Sequence, residues 1–153
     1  MLVKNLFDAT VANQVKTRLA QLEPQTERHW GKMTAAQMLA HCAVSMQWAA
    51  GEVVPERGPL PVRLMGRLVK PFVFRNEDPL RKNSPTAKSL IVADERDLNK
   101  ERERLARLID KFAAGGAAGC TKNPHSFFGT LRPEEWAILM YKHLDHHLRQ
   151  FGV

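Results

Sequence analysis

Apolar residues return every three or four positions through four separate stretches of the chain, the spacing that lays one face of a helix against a core. Phe7, Val11, Val15, Leu19 and Leu22 form the first stripe and Pro24 stops it, which predicts a helix from Asp8 to Leu22. After a polar loop, Thr34 with Gln37 three residues later forms a capping-box signature. The helix it opens carries Met38, His41, Ser45 and Trp48, and Gly51 supplies the stop. Leu98, Leu105, Leu108, Ile109 and Phe112 mark a third long helix from Asp94 to Ala113, ended by Gly115-Gly116-Ala-Ala-Gly119. The last begins at Pro133, a residue suited to the first helical position, with Glu134 and Glu135 at the positive end of the dipole. Arg132 before it is a poor cap, a small local cost.

Between the second and third helices, from Gly51 to about Ala93, this order is lost. Pro55, Pro59, Pro61, Pro71, Pro79 and Pro85 punctuate the segment and leave one short helix around Val62–Val69. A connection this long exceeds what an antiparallel turn needs and suits a crossover that makes the next helix parallel to the previous one. Alternating strand patterns and internal repeats are absent. The expected fold is all-α: a four-helix bundle, up-down-down-up, with a long crossover between helices 2 and 3.

With 153 residues the chain fits one domain, residues 1–153, large enough to bury a proper core. No segment approaches the roughly twenty apolar residues that span a bilayer, and the first residues show no export signal, so no membrane partner is expected. Cys42 and Cys120 form neither a metal-finger spacing nor a disulfide framework. A cytoplasmic location is the default. The formal net charge is +7, yet the basic residues are scattered and the densest run, from Glu101 to Arg107, interleaves both signs like a solvated helix face. No nucleic-acid-binding motif is present, so no nucleic-acid partner is expected.

The chemistry concentrates in the last helix. Trp136, Leu139, Met140, His143, His147 and Gln150 fall along one stripe, apolar in its upper half and imidazole in its lower half. His143 and His147, four apart, project from one face and suit a single metal ion. Buried imidazoles without partners are costly, so the stripe calls for a ligand, a hydrogen-bond network or an aqueous cleft. Imidazolium near a helix C-terminus is favourable, but that accounts only for histidines near the end, not for their inward position. His146, three from His143, can also approach the same ion; the helix wheel favours His147.

His41 lies on a largely apolar side of the second helix with Met38, Val44, Ser45 and Trp48. A lone histidine there is more often a satisfied core residue than a ligand. The His143/His147 pair tips the balance, because bundle cores assemble metal sites from facing helices. Three neutral imidazoles plus one open position make a catalytic coordination set. His125 is expected to pack or hydrogen-bond locally in its loop, and His29 to be exposed. Cys42 points about 100° away from His41 and reads as a small core residue. Trp30, Trp48 and Trp136 read as packing. Glu52 and Asp94 flank the crossover and are candidates for bases or for carboxylates behind the ligands.

Two segments carry a family resemblance. They are Trp30-Gly-Lys-Met-Thr-Ala-Ala-Gln-Met-Leu-Ala-His41-Cys, and Phe128-Gly-Thr-Leu-Arg-Pro-Glu-Glu-Trp136 with Tyr141-Lys-His-Leu-Asp-His-His147-Leu-Arg-Gln-Phe-Gly. Together they cover about a quarter of the chain, which resembles the DinB/YfiT-like superfamily of metal-dependent enzymes, closest to a branch whose domain function is unknown. The resemblance implies an up-down-down-up bundle and a divalent metal, zinc, nickel or similar, held by His41, His143 and His147. It also implies a low-molecular-weight thiol as cosubstrate in some members, and frequent homodimers.

The reading that follows is a divalent-metal-dependent enzyme of the thiol-dependent transferase or hydrolase type acting on a small-molecule substrate. Arg57, Arg63, Arg67 and Arg75 make an anionic substrate the expectation. The alternative is a non-catalytic metal-binding or stress-associated binding module.

Overall fold

The computed structural model describes residues 2–153. Met1, part of the expected domain, lies outside the described residues. Among them the chain is all-helical, with five α-helices and no strand: α1 Ala9–Leu19, α2 Ala35–Ala49, α3 Leu60–Phe74, α4 Leu98–Gly115 and α5 Pro133–Gln150. An isolated antiparallel bridge pairs His125 with Gly129.

The helix ends follow from capping chemistry. Asp8 accepts from the amides of Thr10 and Val11 and opens α1. The helix stops at Leu19, three residues short of the expected end, because the chain tightens into i→i+3 bonds, Gln21 N–H to Arg18 O and Leu22 N–H to Leu19 O. Leu22 stays fully buried, as its apolar position in the stripe requires, although it lies past the last α turn. At α2 both arms of the capping box are made: Thr34 Oγ1 accepts from Gln37 N–H at 3.2 Å, and Gln37 Oε1 accepts from Thr34 N–H at 3.0 Å. Asp97 caps the fourth helix by accepting from Lys100 N–H at 2.9 Å, so the helix starts at Leu98, four residues after the expected Asp94. At α5, Arg132 is rescued by Glu135, whose carboxylate accepts the Arg132 amide at 2.8 Å.

The largest departure is α3. The expected short helix at Val62–Val69 is a fifteen-residue helix, Leu60–Phe74, that carries Pro71 within it. Pro61 sits in its first turn, where no amide needs an acceptor, so it starts the helix rather than breaking it. Gly66 faces Phe127 so closely that a Cβ there would stand 1.9 Å from the Phe127 carbonyl oxygen.

The core is a continuous apolar cluster drawn from α1, α2, α4 and α5, with Leu39, Met46, Leu105, Ile109, Leu144 and Leu148 at its centre. Helix α2 packs against α4 and α5, α1 packs against the same two helices, and α3 leans on α5. Polar ties fix these packings. Gln37 Nε2 donates to the Asp94 carbonyl at 3.0 Å, and Arg104 donates to Gln47 Oε1 at 2.9 Å. Leu6 N–H donates to the Ala137 carbonyl at 3.1 Å, and Arg18 pairs with Asp145 at 2.7 Å. No described helix is long and apolar enough to cross a membrane.

Candidate metal centre

Helices α2 and α5 meet along the stripe that carries the histidines. Trp136, Leu139, Met140, His147 and Gln150 are buried, while His143 keeps a partly exposed edge. His41, also buried, faces them from α2. One ring nitrogen from each of His41, His143 and His147 lies within 4.8 Å of the others, the scale that bonds of about 2 Å to a single ion require. The ring centroids are 4.7 to 4.8 Å apart in all three pairings.

The hydrogen bonds on the far side of each ring decide which nitrogen is available. His41 Nδ1 lies 2.7 Å from the Leu90 carbonyl oxygen, which can only accept, so Nδ1 carries the proton. His147 Nδ1 lies 2.7 Å from Gln150 Oε1, and the amide of the same Gln150 donates to the Trp30 carbonyl at 2.7 Å, fixing its oxygen as the acceptor. His143 Nδ1 lies 3.0 Å from Ser45 Oγ. The Ser45 hydroxyl spends its own proton on the Cys42 carbonyl at 2.8 Å, so it too accepts from the ring. All three imidazoles therefore hold their proton on Nδ1 and present a bare Nε2.

The consequence is visible between His41 and His143, whose Nε2 atoms stand 2.9 Å apart. Two lone pairs at that distance repel unless a cation lies between them. A proton is disfavoured. Burial pushes the imidazolium form down at His41, well down at His143, and to about 3 at His147, and the neighbouring imidazoles add to the effect at each. The donor set fits a divalent ion with affinity for neutral imidazole.

His146 stands apart. Its Nδ1 donates to the Leu80 carbonyl at 3.2 Å and its ring meets Trp30 edge-on at 5.5 Å, so His147 is the histidine that joins the cluster. His125 packs and bonds locally, as its loop position suggested. Its Nδ1 accepts from the amides of Phe127 and Phe128 at 3.1 and 3.3 Å, and its ring sits edge-on between Trp48 and Trp136. Burial lowers its pKa to about 4. His29 is exposed. Cys42 is a buried core thiol donating to Met38 Sδ at 3.8 Å, and burial pushes its ionisation up. Cys42 and Cys120 are both free.

Glu52 and Asp94 do not back the ligands. Glu52 pairs with Lys111 at 2.6 Å and Asp94 with Arg96 at 2.9 Å. Their place is taken by the Leu90 carbonyl, Ser45 and Gln150. Ser45 and Gln150 had a signal: each lies on the same helix face as a cluster histidine, four residues from His41 and three from His147. Leu90 had none, because a backbone carbonyl in a proline-rich crossover leaves no mark in side-chain pattern.

A cleft of about 330 Å³ lined by His29, Trp30, Pro79, Leu80, Lys82, His146 and Arg149 lies across the His146 ring, which stands 5.0 Å from that of His147. Trp30 is thus a cleft wall as well as a packing residue. The Lys82 ammonium sits 4.2 Å above its ring. None of Arg57, Arg63, Arg67 and Arg75 lines this cleft.

No curated protein and no solved structure matches the chain. A family model described as "Protein of unknown function (DUF1569)" matches residues 4–152. The chain belongs to the DUF1569 family, which lies within the DinB/YfiT-like superfamily.

Proposed function

We propose that the protein is a divalent-metal-dependent enzyme whose ion is held by Nε2 of His41, His143 and His147. The observation that carries this reading is the tautomer arithmetic: three Nδ1–H groups point outward to fixed acceptors, leaving three facing lone pairs with no proton between them. Bound there, zinc, nickel or a similar ion would supply Lewis acidity and hold a water or a low-molecular-weight thiol as its conjugate base near neutral pH. Leu90, Ser45 and Gln150 orient the rings and raise their basicity. With three protein ligands the set is that of an open, catalytic site.

The cleft across His146 from the cluster supports a small anionic substrate. Lys82 lines it with no carboxylate partner among the described residues, Arg149 lines it while paired with Asp145 at 2.8 Å, and Trp30 offers a flat apolar wall. The scaffold of this reading is one domain built as an up-down-down-up bundle of α1, α2, α4 and α5, with α3 in the crossover. Gln37 ties to Asp94 just before α4 and Gln47 ties to Arg104 within it, so α2 and α4 run in parallel register. The pairing of His41 with His143, and of Trp48 with Trp136 through His125, runs antiparallel between α2 and α5. A thiol-dependent transferase or a hydrolase is the reaction type, and the cytoplasm the location, that this account takes.

The test is a substrate screen on untreated protein with and without chelator, run beside elemental analysis. Close to one metal per chain and turnover that chelator removes and metal restores are expected. Stoichiometric metal surviving in His143→Ala would overturn the ligand assignment; turnover indifferent to chelator would overturn the chemistry.

A further inference from the structure

Helix α3 is locked to the protein by one face. Gly66 lies against the Phe127 carbonyl, and Phe74 meets Phe128 edge-on at 5.3 Å. Lys70 bridges the Thr130 carbonyl at 2.9 Å and Glu135 at 3.0 Å. The buried Lys142 of α5 holds the far end by donating to the Val73 carbonyl at 2.6 Å. The helix therefore cannot roll to hide its other side. That side is apolar: Leu60, Leu64, Leu68 and Phe72 recur every fourth residue with Met65 beside them, and all five are 50% to 74% exposed.

The border of this strip is of one sign. From Arg57 to Asn76 the chain carries Arg57, Arg63, Arg67, Lys70 and Arg75 and no aspartate or glutamate. Arg57, Arg67 and Arg75 are exposed. Acidic residues return only beyond the two ends of the strip, Glu56 at one and Glu77 and Asp78 at the other, with Glu56 accepting from Ser89 and Glu77 from the Lys4 amide. Three arginines that look scattered along the sequence, Arg57, Arg67 and Arg75, thus flank an outward apolar stripe.

We infer that α3 is a docking surface for an anionic lipid bilayer, lying in the plane of the interface with Leu60, Leu64, Met65, Leu68 and Phe72 inserted and the arginines on the headgroups. An outward apolar face with a cationic border is the composition of an interfacial helix. Charge selects the occupant: a second copy of this chain would set arginines against arginines, whereas an anionic surface answers both the apolar strip and its border.

Co-sedimentation with vesicles of phosphatidylcholine alone, and of phosphatidylcholine mixed with phosphatidylglycerol, tests this. The full chain should bind the mixed vesicles, release as salt rises, and ignore the zwitterionic ones. The double substitution Leu68→Ser and Phe72→Ser should lower partitioning on the order of tenfold or more, and Arg67→Glu by a smaller factor. Both variants should keep the parental melting temperature, since the changed side chains face solvent. Failure of the parent to bind, or equal binding by the double variant, overturns the proposal. So does a parent that self-associates in sedimentation velocity through the same residues without binding vesicles, which would make the face a contact between copies.

Discussion

His125 and the His41/His143/His147 cluster occupy the two ends of one seam between α2 and α5, and burial depresses the imidazolium form at both. By burial and pKa direction alone they are the same kind of residue. Their tautomers are opposite. His125 Nδ1 accepts two backbone amides, so its proton is on Nε2 and it packs as a neutral wedge between two tryptophans. The cluster histidines donate from Nδ1, which leaves Nε2 bare on each, and those of His41 and His143 face each other at 2.9 Å. What separates a structural histidine from a candidate ligand here is where the ring's second nitrogen finds its partner, not how deeply it is buried.

The strongest way to break this contrast is to remove one member of the cluster. His143→Ala should cost metal affinity more than the roughly hundredfold that loss of an outer partner brings, while circular dichroism keeps the helical signal. Acid comes next. For each of these histidines the folded-state pKa lies below the unfolded value of 6.5, so the unfolded chain takes up protons that the folded protein refuses. Stability of the metal-free protein is then full above pH 6.5 and falls as pH drops toward 4 at His125 and toward 3 at His147. His125 alone accounts for about 3 kcal/mol of that loss. Denaturant titrations at several pH values measure it, and a flat profile would contradict the burial of these rings. Bound metal should move the loss to lower pH, because it binds only the neutral rings.

His125→Ala sharpens the comparison from the other end. It leaves the Phe127 and Phe128 amides without their acceptor and a void beside Trp48 and Trp136, for a cost of about 2–3 kcal/mol in chemical denaturation. Metal content should not change. The smallest effect belongs to Gln150→Ala, which frees the His147 ring without removing it. Metal affinity should fall about 10- to 100-fold in a competition titration, with the fold intact.

The helices that build the seam were legible because their signals are local. The Thr34/Gln37 box, Pro133 at the start of α5 and the 3.6-residue stripe ending in His143 and His147 each state their role within a few residues. The meeting of His41 with that pair was legible only as a fit between two apolar faces, each interrupted by imidazole. Helix α3 was underestimated for a physical reason. Proline at its second position and again at Pro71 reads as interruption, and most of its apolar residues face outward, with only Val69, Val73 and Phe74 reaching the core. The crossover's contribution to the centre, the Leu90 carbonyl, comes from a short 3₁₀ turn at Lys88–Leu90 that no side chain announces.

Nitrogen NMR of the imidazole rings, recorded with and without zinc, tests the central claim most directly. At neutral pH, His41, His143 and His147 should each show a protonated Nδ1 and a bare Nε2, with His125 reversed. Zinc should move the three Nε2 resonances together and leave His125 in place. A proton on Nε2 of any cluster ring, or a His125 resonance that follows the metal, would contradict the account.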